Sequence, residues 1–205
     1  MIVLKGKAKW CKVFEPDTRF NEDGEYSTQV VLTEEEAAQV CEQLDALIDA
    51  EYAKTVKEKP ALKASLSKRP PVDKEVDENG DPTGNVVFKA KLKATIRSKA
   101  GQTYKQKVNV VDAKRQPMNG TQLIGNGSTI KVALEPVPYY MASTKQVGVS
   151  LRCKAVQVID LVEAGTPSAE SLFDEEDGFI ASAVSKDNNT DGYFDEQVEE
   201  NEGDF

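Results

Sequence analysis

The sequence predicts an all-β fold with one helix, in which five to six strands form a small barrel followed by a disordered acidic C-terminal tail. Three observations support this prediction. Most of the chain alternates apolar and polar residues with a period of two, as half-buried strands do. One internal segment has helical spacing instead. The last 40 residues carry too few apolar side chains to pack a core.

The first two strands are predicted as a hairpin with a long loop. Lys5 and Lys7 share one face of the N-terminal strand, while Leu4 and Trp10 share the other, which places Trp10 in the core. After a turn-rich stretch, residues 26–32 alternate again and form the second strand.

A helix is predicted over residues 34–58. Thr33 and Glu36 form a capping box at its start, and Pro60 ends it. An apolar stripe at helical spacing packs against the barrel. The stripe consists of Ala37, Val40, Cys41, Leu44, Leu47, Ile48 and Tyr52.

The proline-rich, charged segment 60–84 is predicted to be a loop, and the remaining strands follow it. Strands are expected over 88–97, 103–111, 129–134 and 147–162. The apolar face of the first of these carries Phe88, Ala90, Leu92, Ala94 and Ile96. This pattern fits an OB-type barrel, although the strand count alone fits other small barrels equally well.

Charge divides the chain into two parts. The formal net charge is −9, but residues 166–205 hold 13 acidic residues and one basic residue, a net charge of −12, which leaves residues 1–165 with +3. We therefore predict an OB-fold domain over 1–165 and an acidic disordered tail over 166–205.

The residue types argue against catalysis and against metal binding. The chain has no histidine, the commonest metal ligand and general base. Cys11, Cys41 and Cys153 are widely spaced and are predicted to be buried thiols in a reducing cytosol. No phosphate-binding glycine motif occurs. We expect a soluble intracellular protein without signal peptide or membrane span, which is not an enzyme and needs no cofactor.

A basic segment is the main indication of function. Between Val86 and Gln116, nine basic residues accompany a single acid, Asp112. Lysines two residues apart on a strand face lie about 6.5–7 Å apart. That is close to the spacing of successive phosphates, so such a row can follow a nucleic-acid backbone and release its counterions. A solvated strand face explains the same pattern equally well.

Aromatic side chains are the second requirement, since stacking contributes about 1–3 kcal/mol per base without reading sequence. The candidates are Tyr104 and the pair Tyr139 and Tyr140, which follows Pro138 in a predicted loop. We expect one ring of the pair to cap the barrel end and the other to be free. The full predicted DNA-binding set is Lys5, Lys7, Lys89, Lys91, Lys93, Arg97, Tyr104, Lys105, Lys107, Tyr139, Tyr140, Arg152 and Lys154.

The last residues place the ring of Phe205 beside the terminal carboxylate and Asp204, at the end of an acidic string. Such a tail can compete with DNA for the basic surface of the protein or bind basic patches of partner proteins. Alternatively, it only keeps the protein soluble. We predict that Asp204 and Phe205 bind partners.

Several short motifs occur in an order typical of one family. They are residues 88–91 (FKAK), 108–112 (VNVVD), 124–128 (IGNGS), 137–139 (VPY) and the terminal 203–205 (GDF). With these motifs the sequence resembles the single-stranded DNA-binding proteins of T7-like phages, over most of the chain.

The resemblance implies an OB-fold homodimer that binds single-stranded DNA with little sequence specificity. It also implies a role in phage DNA replication, recombination and strand annealing in the cytoplasm of the infected bacterial host. The tail is expected to contact the replicative DNA polymerase and the primase-helicase through Phe205. Tyr139 matches a tyrosine implicated in stacking. Tyr140 and Met141 replace a basic residue and a tryptophan, so stacking rests on both tyrosines or is weaker.

Two other classes of function fit the same sequence. One is an interaction or scaffold protein whose acidic tail mimics DNA and whose barrel binds only protein. Neutralising Lys89, Lys91 and Lys93 would then change little. The other is a cold-shock-like RNA-binding barrel, which competition between DNA and RNA oligonucleotides would separate.

Overall fold

The structure, a computed structural model, describes residues 1–98 and 101–164. In chain order its elements are β1 (Ile2–Asp17), β2 (Glu25–Thr33), α1 (Glu34–Glu58), a 3₁₀ helix (Pro60–Leu62), β3 (Ser67–Lys68), β4 (Asp73–Val76), β5 (Pro82–Lys93), β6 (Thr95–Arg97), β7 (Thr103–Lys105), β8 (Asn109–Val111), β9 (Thr129–Met141) and β10 (Gln146–Asp160). Within the described ranges, no helix is long and apolar enough to cross a membrane.

Five of these strands close into a barrel. β1 pairs antiparallel with both β2 and β9, β2 pairs with β5, and β9 pairs with β10. Parallel pairing of Leu151 with Ala90 and of Arg152 with Lys91 joins β10 to β5 and closes the ring. The ring order β1-β2-β5-β10-β9 confirms the predicted all-β fold of OB type with one helix.

The core fills the inside of this ring, and α1 packs beside it. Phe88 on β5 is the largest fully buried side chain, and Leu44 and Ile48 on α1 are also buried. The helix has the predicted bounds. Its capping box is formed as well, because the backbone N–H of Glu36 donates to Thr33 Oγ1 at 3.2 Å.

Trp10 lies outside the core, contrary to the prediction from alternation. Its side chain is 66% exposed. On β1, Lys9 lies opposite Gln29 and Lys12 lies opposite Ser27, so two residues of β1 face the single residue Thr28 of β2. This β-bulge shifts the inside–outside alternation by one residue, which a strict period of two cannot anticipate.

The segment predicted as a loop after α1 is more ordered than expected. It contains the 3₁₀ helix, β3 and β4, and it leads into the start of β5. β3 pairs with β10, and β4 pairs antiparallel with the first half of β5. The prolines do not prevent this pairing, because both strands are short and β4 lies at an end of the sheet order.

Tyr139 and Tyr140 lie on β9, which corrects the prediction that they lie in a loop after Pro138. The pairing of β1 with β9 ends at Leu134, so the later part of β9 has β10 on one side only. Pro136 and Pro138 are tolerated there because an edge strand does not need every N–H as a donor.

The predicted strand over 103–111 is divided into β7 and β8. β6 and β7 form a two-stranded sheet separate from the barrel sheet. Ile96, predicted to face the core, is 39% exposed on this hairpin because the hairpin has left the barrel wall.

The cysteines were predicted to be three buried thiols, and only Cys153 is fully buried. Cys11 and Cys41 are partly buried, and all three are free. Burial raises the pKa of Cys153 to about 12 and that of Cys11 to about 11. These two thiols therefore stay protonated and unreactive at neutral pH.

Candidate nucleic-acid interface

Lys89, Lys91 and Lys93 project from the outer face of β5. The alternation of β5 requires this, because Phe88 and Ala90 between them are buried in the barrel. The three ammonium groups therefore lie on one exposed strand face, as the sequence pattern predicts.

Strand register extends this basic face across the barrel. Lys91 pairs with Ser27 on β2 and with Arg152 on β10, and Ser27 pairs with Lys12 on β1. A second row contains Lys9, Gln29 and Lys89. Neighbouring strands lie about 4.8 Å apart, so the first row crosses about 14 Å of surface.

A groove follows the line where β5 and β10 meet. One half is a cleft of about 260 Å³ whose lining includes Arg69, Lys89, Lys91 and Tyr139. The cleft thus brings three cations and one aromatic ring to the same concave surface, from three different parts of the chain.

The second half of the groove is lined by residues that include Lys91, Lys93, Arg152 and Gln106. Lys91 and Ser150 line both halves, so the two halves adjoin. We call the whole feature the β5–β10 groove. Predicted site residues from β5, β9 and β10 meet in it.

Tyr139 owes its position in this groove to a glycine. It lies opposite Gly148 on β10, and a Cβ atom at that position would come within 2.7 Å of Tyr139 Oη. Any larger residue would push the ring away from β10. The tyrosine is partly buried.

Tyr140 points to different neighbours. It packs against a small apolar cluster of Ile48, Leu66 and Val147, next to α1. The ammonium group of Lys59 lies 4.8 Å from the centre of its ring. The structure therefore separates the two tyrosines, with Tyr139 in the groove and Tyr140 outside its lining.

Acidic side chains from neighbouring strands accompany the basic face. The Nζ of Lys89 lies 2.6 Å from Asp73 Oδ2, and the Nζ of Lys91 lies 2.7 Å from Glu25 Oε1. Both carboxylates lie outside residues 86–116, so a count of acids within that segment does not include them. Exposed pairs of this kind contribute only about 0–1 kcal/mol, so phosphates can replace them.

Glu75 fastens β4 to the outer face of the barrel. Its side chain is only 12% exposed and accepts hydrogen bonds from Lys9 Nζ, from Asn85 Nδ2 at 2.8 Å and from Thr83 Oγ1 at 2.9 Å. These donors, Lys9 foremost, lower the pKa of Glu75 to about 2. Glu75 therefore stays ionised and holds the side chain of Lys9 against β4.

Other predicted residues do not line the groove. Lys5 and Lys7 line a separate depression near the start of α1. Lys154 pairs with Glu135 at 3.1 Å. The exposed residues Arg97, Tyr104, Lys105 and Lys107 lie on or just after the β6–β7 hairpin. Asp204 and Phe205 lie outside the described residues.

Three side chains near the basic face were not among the residues that the sequence predicted to bind DNA. Arg69 lines the groove and precedes two prolines, in the segment predicted to be a loop. Phe20 is 93% exposed in the loop between β1 and β2, with the guanidinium carbon of Arg19 5.8 Å from its ring centre. In OB folds this loop borders the binding face, which is the signal that could have identified Phe20. Trp10 was assigned to the core.

The arrangement can bind an extended polyanion that carries flat rings. Cations on neighbouring strands match a phosphate backbone, and Tyr139 offers a ring for stacking. Among residues 1–98 and 101–164, no group of three histidine, cysteine, aspartate or glutamate side chains is placed to hold a metal ion.

Comparison with known proteins identifies the family. Residues 5–161 match the family model described as single-stranded DNA-binding protein of bacteriophage T7. The chain belongs to this family. The predicted resemblance to the proteins of T7-like phages is thereby confirmed.

Two curated relatives and one solved structure show how close the similarity is. The single-stranded DNA-binding protein of Escherichia phage T7 is 32% identical over 111 residues, which is 53% of this chain and 47% of the relative. The corresponding protein of Enterobacteria phage T3 is 31% identical over the same shares. This chain thus aligns with about half the length of the curated relatives it matches.

The solved structure is that of gp2.5, a single-stranded DNA-binding protein encoded by bacteriophage T7. It superposes with a TM-score of 0.65 at 23% identity, over 88% of this chain and 99% of that one. At this identity the likeness shows the fold.

Proposed function

We propose that this protein binds single-stranded DNA with little sequence preference, along the β5–β10 groove. One observation carries the proposal: Arg69, Lys89, Lys91 and Tyr139 line the same cleft. Cations there can contact phosphates while the ring stacks on a base. The family description and the names of both curated relatives support the same binding activity.

The chemistry of the groove favours unpaired strands and tolerates any sequence. A ring that is partly sunk in a cleft reaches a base only when that base is free of its partner strand. Phosphate contacts carry no sequence information, and every base offers a face for stacking. We accordingly propose binding and not catalysis as the activity.

The family and the division of charge support a proposal for the wider role. We propose action in phage DNA replication, recombination and strand annealing, in the cytoplasm of the infected host, by a homodimer. The domain over 1–165, with a net charge of +3, would bind DNA, and the tail over 166–205, with −12, would recruit the replicative polymerase and primase-helicase through Asp204 and Phe205.

The direct test is fluorescence anisotropy of labelled oligo-dT and of a matching duplex, titrated with the full chain over a range of salt concentrations. We expect tight single-strand binding that weakens with salt, by about 0.7 logarithmic units per phosphate contact, and much weaker duplex binding. Equal duplex affinity would contradict the proposal. A preference for RNA competitor would indicate an RNA-binding barrel, and absence of binding would favour a scaffold protein.

The tail has its own test. Truncation after Gly165 should tighten DNA binding at low salt, and the gain should shrink as salt rises, because screening weakens the competition. Deletion of Phe205 alone should spare DNA affinity and weaken capture of polymerase and helicase. Unchanged affinity on truncation would refute the competitor role.

A further inference from the structure

We propose that Trp10 is a second base-stacking residue, which extends the DNA path from the β5–β10 groove across β2 to β1. The inference rests on the proposed function. The alternation in the sequence predicted that Trp10 lies in the core. In the structure it is exposed, and it is not one of the residues that line the groove.

The backbone at Trp10 is strained. Its φ is +50°, in the left-handed region that bulky side chains rarely adopt. Trp10 is the extra residue of the bulge between β1 and β2, and in bulges with this conformation glycine normally occupies the position. A tryptophan here costs free energy that a glycine would not cost.

The surrounding turn holds the strained conformation in place. The backbone N–H of Trp10 donates to Asn126 Oδ1 at 2.8 Å. In the same turn, Ser128 O accepts a hydrogen bond from the backbone N–H of Ala8 at 2.8 Å. The backbone N–H of Gly127 donates to Ala8 O at 2.9 Å. Strain that persists because its surroundings impose it is characteristic of functional positions.

Folding gains little from this side chain. Trp10 is 66% exposed, whereas Ala8 and Val13 of the same strand are buried in the core. A large apolar ring is thus held in solvent at a strained position, which neither core packing nor turn formation explains.

The position of Trp10 points to nucleic acid. It lies between Lys9 and Lys12, the ends of the two rows that lead through Gln29 and Ser27 to Lys89 and Lys91. Two strand spacings, about 10 Å, separate β1 from β5. A single strand that leaves the groove across the polar side chains of β2 therefore reaches Trp10 within one or two nucleotides.

A protein partner is a poorer match for this surface. The buried centre of a protein interface is depleted of lysine. Trp10 instead has lysines on both sides, one held by Glu75 and the other, Lys12, 2.6 Å from Asp17 Oδ2. Cations beside an exposed ring suit a phosphate backbone that carries bases.

Intrinsic fluorescence tests the proposal, because Trp10 is the only tryptophan of the chain. The full-length protein is titrated with 5′-labelled oligo-dT, and tryptophan emission and label anisotropy are recorded in the same samples. We expect the emission to be quenched in step with the anisotropy increase. An anisotropy increase without a change in emission would overturn the inference and leave the proposed function standing. No anisotropy increase would overturn both.

The variant Trp10→Gly separates stacking from structure. Glycine relieves the strain and removes the ring, so its melting temperature should rise while affinity for oligo-dT falls about tenfold. Trp10→Phe should retain affinity to within about threefold, because its ring still stacks. Val3→Ala, which removes a 63% exposed side chain from the same strand, should bind like the wild type.

Wild-type affinity of Trp10→Gly for oligo-dT would overturn the inference. If the sedimentation behaviour of that variant changed as well, Trp10 would be an interface residue between protein chains.

Discussion

The β5–β10 groove and the β6–β7 hairpin carry the same residue types and differ in how they present them. The groove has Lys89, Lys91 and Tyr139, and the hairpin region has Tyr104 with Lys105 and Lys107. By charge and aromatic content the two regions are equivalent in the sequence. The groove gathers its side chains from three parts of the chain onto one concave surface.

The hairpin gathers its residues from one local segment. β6 and β7 form their own two-stranded sheet, and Tyr104 is 50% exposed. Lys105 lies opposite Thr95 of the same hairpin, whereas Lys91 lies beside Arg152 on β10. The comparison shows that convergence of strands, more than local charge density, identifies the candidate site.

Removing charge from each region should produce the largest difference. Lys89→Ala with Lys91→Ala should weaken oligo-dT binding about tenfold or more at low salt, and lower the salt slope by about 1.4, since two phosphate contacts are lost. Lys105→Ala with Lys107→Ala is the matched control and should lose no more than about threefold. Anisotropy titrations at several salt concentrations give both quantities. Equal losses in the two double variants would contradict the distinction.

Removing the aromatic ring from the groove should change DNA affinity by a comparable amount. Tyr139→Ala should lose about 1–3 kcal/mol of binding free energy, because one stacked base is released. Tyr104→Ala should lose little, and Tyr139→Phe should retain affinity. Dissociation constants for oligo-dT measure the loss of affinity in each variant. A greater loss in Tyr104→Ala than in Tyr139→Ala would assign the stacking to the hairpin.

Removing an acid from the groove should strengthen binding slightly. Asp73 pairs with Lys89, so Asp73→Asn frees a cation, and affinity should rise about two- to threefold, as the loss of an exposed ion pair allows. Asp81→Asn makes the same charge change in a nearby turn without freeing a groove lysine. If both variants gain equally, the effect is general charge and not the pair with Lys89.

The lowered pKa of Glu75 predicts a pH dependence of stability. Its pKa is lowered from 4.5 to about 2 by Lys9 and the neighbouring donors. A carboxyl group whose pKa is lower in the folded state stabilises it above the unfolded pKa, and this contribution disappears as pH falls. Glu75→Gln should therefore reduce the free energy of unfolding near pH 7, and the difference from the wild type should close between pH 4.5 and about pH 2. Urea unfolding at several pH values measures it, and a constant difference would contradict the assignment.

Local sequence patterns predicted the fold well where the position of a residue depends only on its own strand or helix. Alternation placed Phe88 inward and Lys89 outward, and the capping box at Thr33 set the start of α1. The same reasoning failed at Trp10, because one inserted residue reverses the alternation and no local signal marks it. It also failed at Tyr139, since Pro138 signals a loop in sequence but lies on an edge strand.

The candidate site was predictable only in part, because it depends on contacts between distant segments. Lys89 and Lys91 followed from their own strand. Arg69 reaches the groove through the pairing of β3 with β10, and Asp73 meets Lys89 through the pairing of β4 with β5. A count of charged residues along the sequence does not reveal these contacts.

The most direct test of the account is photocrosslinking of the full-length protein to oligo-dT containing 4-thiothymidine, with the crosslinked peptides mapped by mass spectrometry. The account predicts crosslinks in peptides that contain Tyr139 of β9 and residues 89–91 of β5, which both line the groove. Crosslinks confined to residues 103–105 would contradict it, because they would place the DNA on β7 of the β6–β7 hairpin and leave the groove empty.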